Sequence, residues 1–175
     1  MAINATAGSS TANSYATEAE ADDYLANSRL YSDSWASQPP LTKERALRMA
    51  TLLIDELAFF GLKTFSEGSL KWPRSSVLEA RDSTVLLDSD TIPTKLKYAT
   101  AELAFLLTSE DRTVQEGGTG ISELTVSVIR LKFDQATQKT AVSDSVLNLL
   151  IDYIDFSSSG RITGSDSGIS KVLRT

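Results

Sequence analysis

A chain of 175 residues with 41% apolar side chains has enough material for one domain of ordinary size, or for a domain with arms. It contains no cysteine and no histidine, which excludes disulfides, thiolate or imidazole metal sites, and every Ser-His-Asp or Cys-His catalytic arrangement. Seventeen basic against 23 acidic residues leave a net charge of -6, the wrong sign for a general nucleic-acid-binding protein.

Along the chain, residues 1–13 are small and polar and read as a flexible N-terminal arm. Thr17 is placed to cap a first helix, with Glu20 three positions on completing a capping box and Glu18, Asp22 and Asp23 near the positive end of the dipole. That helix is expected to end before Tyr31. YSDSWASQPP then reads as a loop. A second helix is expected from a Thr42 cap to about Phe60, closing at Gly61, with Ala46, Met49, Ala50, Leu53, Ile54, Leu57 and Phe60 as its apolar stripe. Leu52 and Phe59 fall on a second side, as in a helix that is central or covered by another subunit.

Some thirty residues with little periodicity follow, long enough to imply a role of their own. A third helix is expected from near Pro93 to about Thr108, with Leu96, Ala99, Leu103, Leu106 and Leu107 inward and Tyr98 and Phe105 on another side. After the Gly-rich break at 116–120, Leu124, Val126 and Val128 alternate as in a strand. The parity flips at Ile129, Leu131 and Phe133, which predicts a bulge or a turn between two short strands. Ser143 caps a last helix to about Tyr153, and the end has a Ser/Gly composition with small apolar clusters. The fold expected is mainly α: a small helix bundle with an attached short strand or hairpin. Its parts are an arm at 1–13, a helical domain at 14–156 with a strand block at about 121–134, and a C-terminal arm at 157–175.

No segment offers the ~18 continuous apolar residues of a membrane span, and the start lacks a signal-peptide pattern, so no membrane role is expected. The acids at 18, 20, 22 and 23 lie on different sides of a helix and read as solvated first-turn charge. Asp88-Ser-Asp90 begins like a calcium loop, but Pro93 stands where its glycine belongs and Ala99 where its last acid belongs. EGGTG lacks the Gly-Lys-Ser/Thr of a phosphate loop. No pair of side chains is placed for catalysis, so neither an enzyme, a metal nor a cofactor is expected. Lys43, Arg45, Arg48, Lys63, Lys71 and Arg74 outnumber the four acids of 41–74, with Phe65 and Trp72 nearby. That composition suits stacking on and neutralising single-stranded DNA.

The order of SYATEAEADDYLA (Ser14 to Ala26), KERALRMATLLIDELAFFGLKT, LKWPRSSV, IPTKLKYATAELAFLL, a strand block and a short last helix resembles a bacteriophage head-to-tail adaptor, or connector, family. Its members are often labelled DnaT-like single-stranded-DNA-binding proteins. The resemblance covers Ser14 to Phe156, and its most specific parts are the Ser-Tyr start and Trp72-Pro73-Arg74. It implies a structural head-completion protein of the virion, made in the bacterial host cytoplasm. The protein would form a dodecameric ring at the head-tail junction, between portal and tail proteins, through which genomic double-stranded DNA passes without specific binding. On that reading Leu52, Phe59, Trp72, Pro73 and Arg74 are inter-subunit candidates. Arg161, Ile162, Ile169, Lys171, Val172, Leu173 and Arg174 are candidates for contact with the portal or a neighbouring subunit. The alternative takes the label literally and makes the chain a replication accessory protein that binds single-stranded DNA. Charge is uneven: 1–40 and 75–120 carry -4 each, whereas 41–74 and 157–175 carry +2 each.

Overall fold

The computed structural model describes residues 2–109, 123–126, 129–132 and 142–155. Its elements are helices α1 (Glu18–Ser28), α2 (Asp33–Ala36), α3 (Pro40–Asp55), α4 (Thr94–Ser109) and α5 (Asp144–Leu150), with strands β1 (Leu62–Lys63), β2 (Arg74–Ser75), β3 (Glu123–Val126) and β4 (Ile129–Lys132). The architecture is mainly helical, as the periodicity predicts. The parity change after Val126 separates two strands, β3 and β4, which pair antiparallel with Val126 opposite Ile129.

α4 is the central helix and packs against α1, α3 and α5. Its small residues Ala99, Thr100, Ala101 and Ala104 are buried together with Leu96 and Leu103, so neighbours approach it from several sides. Tyr98, on its second side, stacks on Tyr24 of α1 at 4.2 Å. Polar ties reinforce this contact. Lys97 Nζ donates to Glu20 at 2.6 Å, and the buried Glu102 carboxylate accepts from Tyr24 Oη at 3.0 Å and from the Arg29 guanidinium. Glu102 can be buried as an ion because each of its oxygens has a donor.

α1 begins as expected. The Thr17 amide donates to Glu20 at 2.8 Å, and the Glu20 amide donates to Thr17 Oγ1 at 3.2 Å. The segment expected as a loop before Pro39 holds α2, which buries Trp35; its indole N–H donates to Asp22 at 2.6 Å, and Lys43 lies over the ring.

Four boundaries differ from expectation. Residues 2–13 are not a free arm: the Asn4 amide donates to Asn13 Oδ1, Ser69 Oγ donates to the Ser9 and Ala12 carbonyls, and Ala12 is buried. Short polar side chains here replace a strand ladder as backbone partners. The second helix starts at Pro40, not after Thr42, because proline at the first helical position needs no N–H partner. It ends at Asp55, not at Phe60. Beyond it the chain turns away to pair with the region after α5: Phe60 N–H donates to Tyr153 O at 3.0 Å, and Asp155 N–H to Ala58 O at 3.0 Å. The inward side of α3 is therefore Lys43, Ala46, Leu47, Ala50, Thr51 and Ile54, while Met49 and Leu52 point outward. Ser143 stands at the N-cap position of α5 without a side-chain bond to the helix amides, and the helix stops at Leu150, not at Tyr153, with Tyr153 and Ile154 buried beyond it. The expected C-terminal arm at 157–175 lies outside the described residues.

Gly61 has the positive φ of +74° that was expected of a helix cap, but uses it to enter β1. A Cβ there would overlap the Ser75 carbonyl and the Val77 side chain. Gly61→Ala is expected to destabilise the protein by about 2 kcal/mol or more in urea denaturation, from strain and overlap together. A second prediction concerns Lys95 and Asp152, whose side chains meet at 2.8 Å. The Lys95 ammonium holds the Asp152 carboxyl below its ordinary value, and the same hydrogen bond holds Lys95 above its own. The pair thus stabilises the fold above the ordinary carboxylate range. Its contribution is lost as pH falls through the depressed Asp152 value, and again as pH rises through the raised Lys95 value. Lys95→Met should lower the melting temperature by about 1–4 °C near neutral pH, as suits a partly exposed pair, and the difference should close as pH falls below the ordinary carboxylate range.

Candidate nucleic-acid interface

The hairpin formed by β1 and β2 occupies the long segment without helical period, and a carboxylate at the end of α3 fixes it to the helices. Asp55 accepts the Lys71 amide at 2.9 Å and the Tyr15 hydroxyl. Burial, with Asp55 beside it, pushes the Tyr15 hydroxyl far above its ordinary value, so it remains a donor. Next to this point Trp72 is 2% exposed, with Phe59 edge-on to its ring at 5.7 Å and Tyr153 tilted against it at 5.6 Å. The Trp72-Pro73 peptide is cis, and Leu62 pairs with Ser75 and Lys63 with Arg74.

The cations of this hairpin are held differently from those elsewhere. Arg29, Lys43, Lys95 and Lys97 each meet a carboxylate. On the hairpin the acceptors are neutral backbone carbonyls. Arg74 donates to the carbonyls of Phe60 at 2.7 Å, Phe59 at 3.2 Å and Gly61 at 2.5 Å. Lys71 Nζ donates to Leu57 O at 3.0 Å, and Lys63 Nζ to Gly68 O at 2.5 Å. Among the described residues no carboxylate lies within ion-pair distance of Lys63, Lys71 or Arg74. Carbonyl bonds position these charges without neutralising them. The same hairpin exposes Phe60 (42%), Leu62 and Phe65 (37%). Phe65 lies against Gly8, where a side chain would displace it. On the outer side of α3, Leu41, Arg45, Arg48 and Leu52 recur at three-four spacing, with Leu41, Arg45 and Leu52 exposed.

The structure divides the residues singled out in the sequence. Phe59, Trp72 and Pro73 lie inside the chain's own core, Arg74 binds the backbone of its own hairpin, and Leu52 is exposed on α3. Of the six cations in the basic segment, Lys43 is buried and paired with Asp22 and Glu18. Trp72 is likewise unavailable for stacking, whereas Phe65 is available. Phe60 was read as part of a helix stripe, and only the early end of α3 turns it outward. Arg161, Ile162, Ile169, Lys171, Val172, Leu173 and Arg174 lie outside the described residues. Glu18, Glu20 and Asp22 of α1 serve the Thr17 cap, Lys43 and Lys97, Asp23 is exposed, and Asp88 accepts the Asp90 amide at 3.2 Å. Among the described residues no acid cluster gathers in a form that holds a metal ion, and no helix is long and apolar enough to cross a membrane.

Residues 1–175 match the family described as "Putative DnaT-like ssDNA binding protein". No curated protein and no solved structure matches the chain. The family match overturns the adaptor expectation, and with it the ring, the portal and tail partners, the unbound passage of double-stranded DNA and the place at a virion junction. There is also a physical reason. Of the residues expected between subunits, Phe59, Trp72 and Pro73 are buried within one chain, so its own packing accounts for them. By the match over its full length, this chain belongs to the DnaT-like single-stranded-DNA-binding family.

Proposed function

We propose that the protein is a single-stranded-DNA-binding accessory protein without catalytic activity, and that the strand runs over the β1–β2 hairpin and the outer side of α3. Membership of the family over residues 1–175 carries this reading. The geometry supports it in two ways. Lys63, Lys71 and Arg74 have carbonyl partners and keep their charge for phosphates, and Arg45 and Arg48 extend the basic surface along α3. Phe60 and Phe65 present ring surface beside these cations. Bases of a single strand can stack on such rings, whereas paired bases cannot reach them.

The net charge of -6 does not oppose this arrangement. Phosphates respond to the local field, and acids on other faces are screened beyond about 10 Å at moderate salt.

Fluorescence anisotropy with a labelled oligothymidylate of about 20 nucleotides tests the proposal. Binding is expected in the micromolar range at low salt, with log K falling against log salt at a slope of about -2, as for three phosphate contacts on a single strand. Lys63→Glu combined with Arg45→Glu should weaken binding at least about tenfold. Phe65→Ala should weaken it about fivefold or more, from the loss of one stacked base. Absence of salt-sensitive binding at about 100 μM protein, or binding that these variants leave unchanged, would overturn the reading.

A further inference from the structure

A second surface of the molecule has the opposite character. An open cleft of about 650 Å³ lies between the end of α5 and the loop that follows β2, lined by Phe60, Val77, Leu78, Arg81, Asp152 and Asp155 among others. The loop is folded back on itself, with Leu87 N–H donating to Val77 O at 2.8 Å and Glu79 N–H to Val85 O at 2.9 Å. It is tied to α5 through Arg81, which donates to the Ile151 carbonyl at 2.9 Å. Residues 76–90 carry Glu79, Asp82, Asp88 and Asp90 against Arg81 alone, and the segment after α5 adds Asp155 and Asp152, the latter paired with Lys95. Leu78, Val85, Leu86 and Ile151 are exposed around it. The surface is therefore acidic and apolar at once. It repels nucleic acid and suits a peptide that is basic and apolar.

The chain supplies such a peptide. Residues 157–175 carry Arg161, Lys171 and Arg174 against Asp166, with apolar Ile162, Ile169, Val172 and Leu173. Asp155, one residue before Phe156, is itself part of the cleft wall. Arg161 and Ile162 thus lie at most about 25 Å of extended chain from the cleft, and a segment tethered so closely is present at about millimolar effective concentration. We propose that residues 157–175 dock in this cleft of their own chain, with the apolar side chains on Leu78 and its neighbours and the cations toward the acids of the loop and Asp155. This assignment does not draw on the DNA-binding reading.

The absence of cysteine makes a direct test possible in the full chain. Val172→Cys, the only thiol in that variant, carries a nitroxide spin label, and amide signals of the nitrogen-15-labelled protein are compared with the label oxidised and reduced. The amides of Gly61, Ser76, Val77, Leu78 and Arg81 are expected to lose more than half their intensity, while the rest of the spectrum shows an unchanged fold. Adding Lys171→Glu and Arg174→Glu should restore at least half of the lost intensity. Retention of the cleft signals in the labelled chain would overturn the proposal. So would a comparable loss when spin-labelled chains are mixed with separate nitrogen-15-labelled ones, which places the segment on a second copy.

Discussion

Asp55 is the point at which the helical body and the hairpin are joined. Its carboxylate, on the last residue of α3, accepts from the hydroxyl of Tyr15 in the N-terminal segment and from the amide of Lys71, just before Trp72. Because the helix stops there, residues 56–60 are released to pair with the region beyond α5. That pairing brings Phe59 and Tyr153 to either side of Trp72. The same turn directs the carbonyls of 59–61 at the Arg74 guanidinium. Had α3 run on to Gly61, the Phe60 N–H would be taken up within the helix instead of by the Tyr153 carbonyl, and the pairing that turns these carbonyls onto Arg74 would be lost.

This arrangement also sets the electrostatics. Cations between helices are paired with carboxylates, as Lys97 with Glu20 and Arg29 with Glu102, and hold the bundle together. Cations on the hairpin are positioned by carbonyls and keep their field. The result is a protein that is acidic in sum yet presents one basic surface with exposed rings, and across Phe60 from it an acidic, apolar cleft. The two surfaces call for ligands of opposite charge.

Much of the helical frame was legible in the sequence. The Thr17–Glu20 capping box and the start of α4 just after Pro93 follow from local chemistry, and local chemistry decided them. The change of parity at Ile129 likewise marked the two strands β3 and β4. What was not legible depends on contacts distant in sequence. Residues 2–13 have the composition of a free arm, and they are held by Ser69, Asn13 and the Phe65 ring. The periodicity of α3 continues past Asp55 to Phe60, but tertiary pairing with 153–155 outweighs it. The candidate interface was half visible: the basic segment and Phe65 stood out, whereas Lys43 and Trp72 were taken into the core and Phe60 was turned out of it. No pattern in the sequence separates a lysine paired with aspartate from one bound to a carbonyl, and that difference is the one on which the interface rests.

The most direct measurement is a titration of the nitrogen-15-labelled full chain with a short oligothymidylate, followed by amide chemical shifts. The account predicts that the largest shifts fall on Phe60, Lys63, Phe65 and Lys71 of the hairpin and on Arg45 and Arg48 of α3, while the amides of 76–90 stay in place. Shifts concentrated on the 76–90 loop or on α1, with the hairpin unmoved, would contradict it.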